Sequence, residues 1–217
     1  MPLIGPSSHS VMANLRTNPD ATLLNHGFLV ESSVYTTVTI GGGCTPVCSH
    51  LSGQVYKLAV GQGAGDWFYP YINATQGGVG VCIVPVGQAE GTLALTGGMN
   101  GCALQVNKSG NDFYFYHDSN GESLKGKLTP GEVVCRVAYR DYAGPLEIGL
   151  NSAAKHTNAS TKTYYSHSII CVRLGGKWKV YVSGVLTGYT DGFFGMSRSY
   201  STFRPTVSPL IASFDDS

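Results

Sequence analysis

The chain has 217 residues, which is enough for one well-formed hydrophobic core. Only 12% of the residues are charged and the formal net charge is +1, so electrostatics gives no case for nucleic acid or an acidic membrane surface as a partner. No apolar stretch approaches the roughly 18 residues that a membrane span requires. The 29 glycines and 13 tyrosines favour short strands joined by tight turns over a helical bundle.

The first 22 residues lack the basic and apolar regions of a secretory signal peptide and are rich in Pro, Ser, Asn and Thr. This composition predicts a flexible leader over residues 1–22, followed by a single domain over residues 23–217. Such a leader suits an effector delivered by a specialised secretion machine. It also suits a catalytic domain cut from a longer toxin, or an ordinary mobile terminus.

Strand-like segments follow one another along the rest of the chain, and glycine-rich turns separate them. They are residues 28–40, 54–60, 78–86, 92–96, 102–106, 113–117, 132–139, 146–150, 164–174 and 178–186. The clearest hairpin joins 168–174 to 177–182 through a two-residue Gly-Gly loop. Helical patterns are weak and short. We therefore predict a mostly β fold, a β-sandwich of two mixed sheets with a few short helices.

The six cysteines do not suggest a disulfide scaffold, because such scaffolds are mostly short secreted chains. Cys82, Cys135 and Cys171 lie inside strand-like runs and are predicted to be small buried hydrophobes. Cys44, Cys48 and His50 could begin a zinc site, but no second pair of ligands follows at tight spacing. A loop with ordinary thiols, or a Cys44–Cys48 disulfide formed by oxidation, is the preferred interpretation. No metal is predicted, and His156 and His167 are expected to face solvent.

The remaining cysteine has a histidine fifteen positions later, at the end of an aromatic run. If residues 102–106 and 113–117 form a hairpin whose loop is Ser109-Gly110, or the four residues 108–111, Cys102 faces His117 directly on the core side. Directly opposed Cβ atoms lie about 4.5–5.5 Å apart, within reach of a thiol and an imidazole. The alternative is a buried cysteine beside an aromatic cluster, with His117 ending the strand.

A working pair of this kind would be a nucleophile and its base. The imidazole takes the thiol proton, so the pKa of the Cys102 thiol is expected well below its free value of about 8.5. The backbone at Gly101 and Cys102 could pass close to a substrate and bind a developing oxyanion. Asp118 points to the opposite face of its strand, so it is not expected to orient His117.

Residues 97–118 resemble the catalytic core of the cytotoxic necrotising factor family of bacterial deamidases. That family has a Leu-Ser-Gly-Cys nucleophile motif and a histidine on the next strand at a similar spacing. Here the motif is Met99-Asn100-Gly101-Cys102, so Gly-Cys matches and Leu-Ser does not. The resemblance covers some 25 residues of the chain.

The resemblance implies a cofactor-independent enzyme, secreted by a bacterium, that acts as a toxin or effector in the host cytosol. It would convert a glutamine of a host protein to glutamate through a thioester on Cys102, with His117 as acid and base. A Rho-type GTPase is the first expected substrate and a translation-initiation helicase the second, and transglutamination is an expected side activity. In the family a backbone carbonyl orients the histidine, and residues 65–72 are the candidate region here. We expect a monomer.

Two other functions fit the same residues. The first is a non-enzymatic β-sandwich binding module, with aromatic stretches as its contact surface. The second is a thiol protease on a different fold, with the same Cys102–His117 pair and another acyl acceptor.

Overall fold

The computed structural model describes residues 6–35, 38–73, 75, 77–157, 159–192, 195–202 and 208–217. Its strands form two sheets and its helices are short, so the predicted mostly β, sandwich-like class is confirmed. The larger sheet is mixed, because it contains parallel and antiparallel neighbours. The smaller sheet is antiparallel in all its strand pairings among the described residues, so the prediction that both sheets would be mixed is wrong for this one.

The helices are α1 (Ser8–Thr17), α2 (Pro19–Asn25), α3 (Tyr139–Tyr142) and α4 (Pro145–His156). The strands are β1 (Gly27–Ser32), β2 (Gly42–Ser52), β3 (Val55–Gln62), β4 (Asp66–Phe68), β5 (Val79–Pro85), β6 (Leu93–Thr96), β7 (Ala103–Ser109), β8 (Asp112–Asp118), β9 (Glu132–Val137), β10 (Thr161–Leu174), β11 (Lys177–Gly192), β12 (Gly195–Thr202) and β13 (Leu210–Asp215). Within the described ranges, no helix is both long and apolar enough to cross a membrane.

The N-terminal segment is helical and packed from Ser8 onward, so the prediction of a flexible leader is wrong for that part of residues 1–22. Ser7 caps α1, and Val11 and Leu15 are buried on the face that meets the larger sheet. Arg16 then makes a two-pronged ion pair with buried Asp66, with N–O distances of 2.7 and 2.5 Å. Polar composition alone concealed an amphipathic helix with only two core residues.

The larger sheet runs in the order β1-β3-β2-β4-β6-β10-β11-β12, with β13 also paired to β11. It curls until β1 lies against β10 and β11. There the backbone N–H groups of Phe28 and Val30 donate to the hydroxyls of Ser183 and Ser168, at 2.6 and 3.2 Å. These side-chain bonds take the place of backbone hydrogen bonds between β1 and its neighbours β10 and β11. The sheet is therefore nearly a closed barrel.

Two hydrophobic cores result from the alternation of side chains along the central strands. On β6, Leu93 and Leu95 point into the barrel, whereas Ala94 points toward the smaller sheet. On β10, Ile170 points into the barrel and Ile169 points toward the smaller sheet. Thr96 and His167 continue the second set, so both lie between the two sheets, where the candidate site is found.

The smaller sheet has the order β5-β8-β7-β9 and contains the predicted hairpin, but in a different register. Ser109 pairs with Asp112, so the loop is Gly110-Asn111. Gly110 has φ +60°, which suits the first central position of a type II′ turn. Leu104 therefore faces His117, and the predicted direct pairing of Cys102 with His117 is wrong. The shift equals two residues, so the predicted core-facing set keeps its face.

Candidate functional site

The turn that carries the candidate nucleophile is Met99–Cys102, between β6 and β7. The Cys102 amide donates to the Met99 carbonyl at 3.1 Å, and Gly101 has φ +91°, a conformation that the third residue of a type II turn requires. The buried Tyr142 hydroxyl contacts the carbonyl oxygens of both Met99 and Cys102. The Cys102 amide is thus engaged in the turn, and oxyanion binding by the backbone at Gly101 and Cys102 stays a prediction.

The Cys102 thiol is 4% exposed, and its Sγ lies 3.7 Å from the Gly98 carbonyl oxygen. Burial raises the pKa of this thiol, which overturns the expectation of a strongly lowered value. The Asn120 N–H, the Ser119 side chain and the Lys155 charge act in the opposite direction, and Asp118 acts with burial. Asn120 itself has φ +62°, in the left-handed region that asparagine tolerates, which sets the course of the turn beside the sulfur. The Cys102 thiol is thus protonated near pH 7.

His117 is fully buried at the end of β8, and its Nδ1 lies 2.8 Å from the hydroxyl oxygen of Thr96. Burial lowers the pKa of His117 to about 3, so the imidazole is neutral near pH 7. Its Nε2 has no hydrogen-bond partner within the described part of the chain. A neutral imidazole with one nitrogen held and the other free has the arrangement of a general base.

The group that orients His117 is therefore Thr96, and the predicted carbonyl within residues 65–72 is not the partner of its Nδ1. That region does supply Tyr71, whose ring meets the imidazole edge-on with centroids 5.2 Å apart. The prediction that Asp118 would not orient His117 is confirmed. Its carboxylate accepts from the Ser123 amide at 2.7 Å and pairs with Arg136.

Cys102 and His117 are diagonal neighbours. Continuing the β7–β8 register by one residue beyond Ala103 places Cys102 beside Ser119, two positions from His117. Diagonal neighbours in an antiparallel pair lie about 7–8 Å apart, farther than directly opposed residues. The thiol and the imidazole thus occupy one corner of the sheet without the close pairing that the sequence predicted.

An open cavity of about 310 Å³ lies against this corner. It is lined by Val30, Ser32, Tyr35, Phe68, Tyr71, Gly97 and Gly98, and we call it the apolar cavity. Gly98 contacts the Cys102 thiol and Tyr71 contacts the His117 ring, so the apolar cavity reaches both groups through one wall residue each. Gly97 packs so closely on β1 that a Cβ there would lie 2.0 Å from the Val30 carbonyl oxygen. Only glycine allows the wall to run this close to the strand.

A second buried histidine lies on the other side of the turn Met99–Cys102, which we call the nucleophile turn because it carries the candidate nucleophile. His167 on β10 was expected to face solvent but is 1% exposed. Its backbone N–H and its Nδ1 both lie 3.1 Å from the Asn100 side-chain oxygen, and its carbonyl accepts from the Met99 amide. Burial lowers the pKa of His167 to about 4, while Glu147 acts in the opposite direction. Polar residues around it in sequence concealed a core position that alternates with Ile169.

His167 also lines a second cavity of about 260 Å³, which we call the polar cavity. Its wall includes Glu31, Asn100, Ser166 and Arg198. Gly98 belongs to the walls of both cavities, so they meet at the segment that leads into the nucleophile turn.

The other cysteines do not form a site. Cys82, Cys135 and Cys171 are buried and free, as predicted. Cys44 and Cys48 lie in strand β2 rather than in a loop, four residues apart. Four residues of strand span about 13 Å, far beyond the reach of a disulfide, so that alternative is wrong. The described residues contain no group of three or more His, Cys, Asp and Glu side chains placed to hold a metal.

Sequence reasoning missed Thr96, Asn100 and His167. Thr96 had a usable signal, because it ends a strand directly before the glycine-rich approach to Cys102. Asn100 and His167 had none, since their contact joins positions 67 residues apart.

No protein-family model matches the chain, and no curated protein matches it.

Proposed function

We propose that the chain is a cysteine-dependent deamidase that converts a glutamine side chain of a protein to glutamate. The observation that carries the proposal is the β7–β8 register, which brings Cys102 and His117 to one corner of the smaller sheet. There Thr96 holds Nδ1 of the buried imidazole, and Nε2 has no partner among the described residues. The apolar cavity supports the proposal, because its wall meets both the thiol and the imidazole. A carboxamide side chain that enters there would be one wall residue away from the thiol and from the imidazole, so Gly98 and Tyr71 must shift for the two groups to reach it.

The first half of the reaction forms a thioester. With the Nδ1 proton donated to Thr96, Nε2 of His117 takes the proton of the Cys102 thiol while Sγ attacks the carboxamide carbon. The tetrahedral intermediate then collapses, the C–N bond breaks, and His117 returns its proton to the departing nitrogen. Ammonia leaves, and the acyl group remains on Cys102.

The second half hydrolyses that thioester. His117 removes a proton from a water molecule, the resulting hydroxide attacks the acyl carbon, and the C–S bond breaks. The Cys102 thiolate takes the proton back from His117, and the product is glutamate. Replacing water by an amine at this step gives transglutamination. No step needs a metal or an organic cofactor.

Burial explains why this pair would be active only with substrate bound. The raised pKa of Cys102 and the lowered pKa of His117 both disfavour a resting thiolate–imidazolium pair. The nucleophile is then generated only as attack takes place, when the diagonal separation closes over the substrate. Catalytic hydrogen bonds are commonly long in unliganded sites and shorten in the reacting complex.

The resemblance of residues 97–118 to the cytotoxic necrotising factor family supports the choice of substrate. On that ground we propose a Rho-type GTPase first and a translation-initiation helicase second. The same ground supports secretion by a bacterium and action in the host cytosol.

The test is the intact mass of a Rho-type GTPase after incubation with the chain. The expected result is a mass increase that corresponds to the exchange of one amide for one acid. Peptide mapping should locate it at a single glutamine, and it should be absent with C102S. Cleavage of the GTPase would identify a protease. An unchanged mass across several Rho-type GTPases and the initiation helicase would contradict the proposal and favour a binding module.

A further inference from the structure

A lysine ammonium lies next to the nucleophile turn. Lys155 is in the last turn of α4, the helix that packs on β10. Its Nζ is 3.7 Å from the position that a Cβ on Gly101 would occupy, one residue before Cys102. The glycine thus lets an exposed cation approach the backbone that carries the thiol.

This cation has a smaller effect on the pKa of the Cys102 thiol than burial, Asn120, Ser119 or Asp118, but it differs from them in carrying a positive charge. The ionisable or polar groups that interact with it are the Asp118 carboxylate, the Tyr139 and Tyr142 hydroxyls, the Ser119 side chain, the Asn120 N–H and the Lys155 ammonium. His117 is held neutral by burial, so it provides no positive charge at rest. The Asp118 charge disfavours a thiolate, and Arg136 is already paired with that carboxylate. Of the described groups that interact with the thiol, Lys155 is the cation.

We propose that Lys155 is the electrostatic partner of Cys102 and stabilises its thiolate. The role rests on the proposed function, because it concerns the nucleophile of that reaction. Lys155 replaces the imidazolium that a thiol–imidazole pair ordinarily supplies and that burial denies to His117. It lies on the side of the turn that faces α4, so it can act without occupying the apolar cavity.

The experiment titrates the Cys102 thiolate in the whole chain through its ultraviolet absorbance, as the difference between each variant and the same variant carrying C102S. The variants are K155Q, which removes the charge, and K155R, which keeps it. K177Q is the control for net charge, because Lys177 is an exposed residue at the β10–β11 turn paired with Asp215. Iodoacetamide labelling of Cys102 at pH 7 gives a second readout.

A nearby cation favours the charged thiolate, so removing it must raise the midpoint of the titration. We expect a higher midpoint in K155Q and alkylation about two- to fivefold slower, the size typical of an exposed charge pair. K155R and K177Q should match the unchanged chain, and added salt should shrink the K155Q difference. A K155Q midpoint equal to that of the unchanged chain, or an equal shift in K177Q, would overturn the role.

This readout needs no substrate, so the two proposals fail separately. A Lys155-dependent titration with an unmodified GTPase would reject the deamidase and keep the electrostatic partner. A modified GTPase with an unmoved titration would reject the role of Lys155 alone.

Discussion

His117 and His167 are alike in almost every local property and lie on opposite sides of the segment from Gly97 to Cys102. Both are buried, both have a lowered pKa, both hold Nδ1 against a side-chain oxygen, and neither Nε2 has a partner among the described residues. They differ in what that oxygen belongs to. For His117 it is a strand hydroxyl, Thr96, whereas for His167 it is Asn100 of the nucleophile turn itself.

Under the proposed function, this difference assigns a chemical role to His117 and a positioning role to His167. His167 binds the turn through three hydrogen bonds, from its backbone N–H and Nδ1 to Asn100 and from the Met99 amide to its carbonyl. Three tyrosine rings, Tyr139, Tyr142 and Tyr165, surround it. His117 makes no such contact with the turn and instead lies behind Tyr71 of the apolar cavity. A lowered pKa and a free Nε2 therefore do not identify a base, because two histidines share them.

The largest expected effect separates the two histidines by activity. H117Q should lower the rate of glutamine conversion by about 10²–10⁴-fold, the usual contribution of a general base. H167Q should lower it by at most about tenfold, since it loses only the Nδ1–Asn100 contact and keeps the two backbone bonds to the turn. The measurement is the initial rate of ammonia release, with the GTPase that the chain deamidates as substrate. A greater loss in H167Q than in H117Q would exchange the two roles.

The next prediction concerns the pH dependence of the unfolding free energy, to which both histidines should contribute about equally. A histidine with a folded pKa far below its unfolded value of about 6.5 binds its proton mainly in the unfolded state. Stability is then complete above that value and falls as the pH drops toward the folded pKa, about 3 for His117 and about 4 for His167. Between pH 7 and pH 5 each histidine should cost about 2 kcal/mol of unfolding free energy.

Urea unfolding at the two pH values checks this loss. H117Q and H167Q should each remove about 2 kcal/mol of it. If one variant leaves the pH dependence intact, that histidine is not buried and neutral in solution.

The features that could be predicted from the sequence are those whose contacts join residues close together in the chain. The β10–β11 hairpin was predicted correctly because Gly175 and Gly176 lie between two regular strands and both have positive φ. The β7–β8 hairpin was assigned to the right strands but to the wrong register, because Ser109-Gly110 and Gly110-Asn111 are both plausible loops. With the first loop, Cys102 would directly oppose His117. With the second, which the structure has, the two residues are diagonal neighbours.

The candidate site was predictable only where its parts are close in sequence. Cys102 and His117 belong to one hairpin, so a local pattern could associate them. The Thr96 contact crosses from one sheet to the other, and burial of His167 depends on the packing of α4 and the tyrosines. Neither contact produces a periodic pattern in the sequence. The helix Ser8–Thr17 was missed for a similar reason, because it has only two buried residues in a polar segment.

The smallest expected effect concerns the oxygen beside His117. T96V removes the partner of Nδ1 at nearly constant volume and should lower the conversion rate about tenfold, while T96S should restore most of it. The pH profile of the rate should also move in T96V, because the imidazole loses the bond that selects its tautomer. Equal rates for T96V and T96S would show that the hydroxyl does not orient the base.

The most direct test of the central claim, that Cys102 works with His117, is labelling by a chloromethyl ketone analogue of glutamine followed by peptide mapping. We expect a label on Cys102 and on no other cysteine, formed in H167Q within about tenfold of the rate in the unchanged chain and much more slowly in H117Q. A label on Cys48 or another thiol, or a rate at Cys102 that depends on His167 and not on His117, would contradict it.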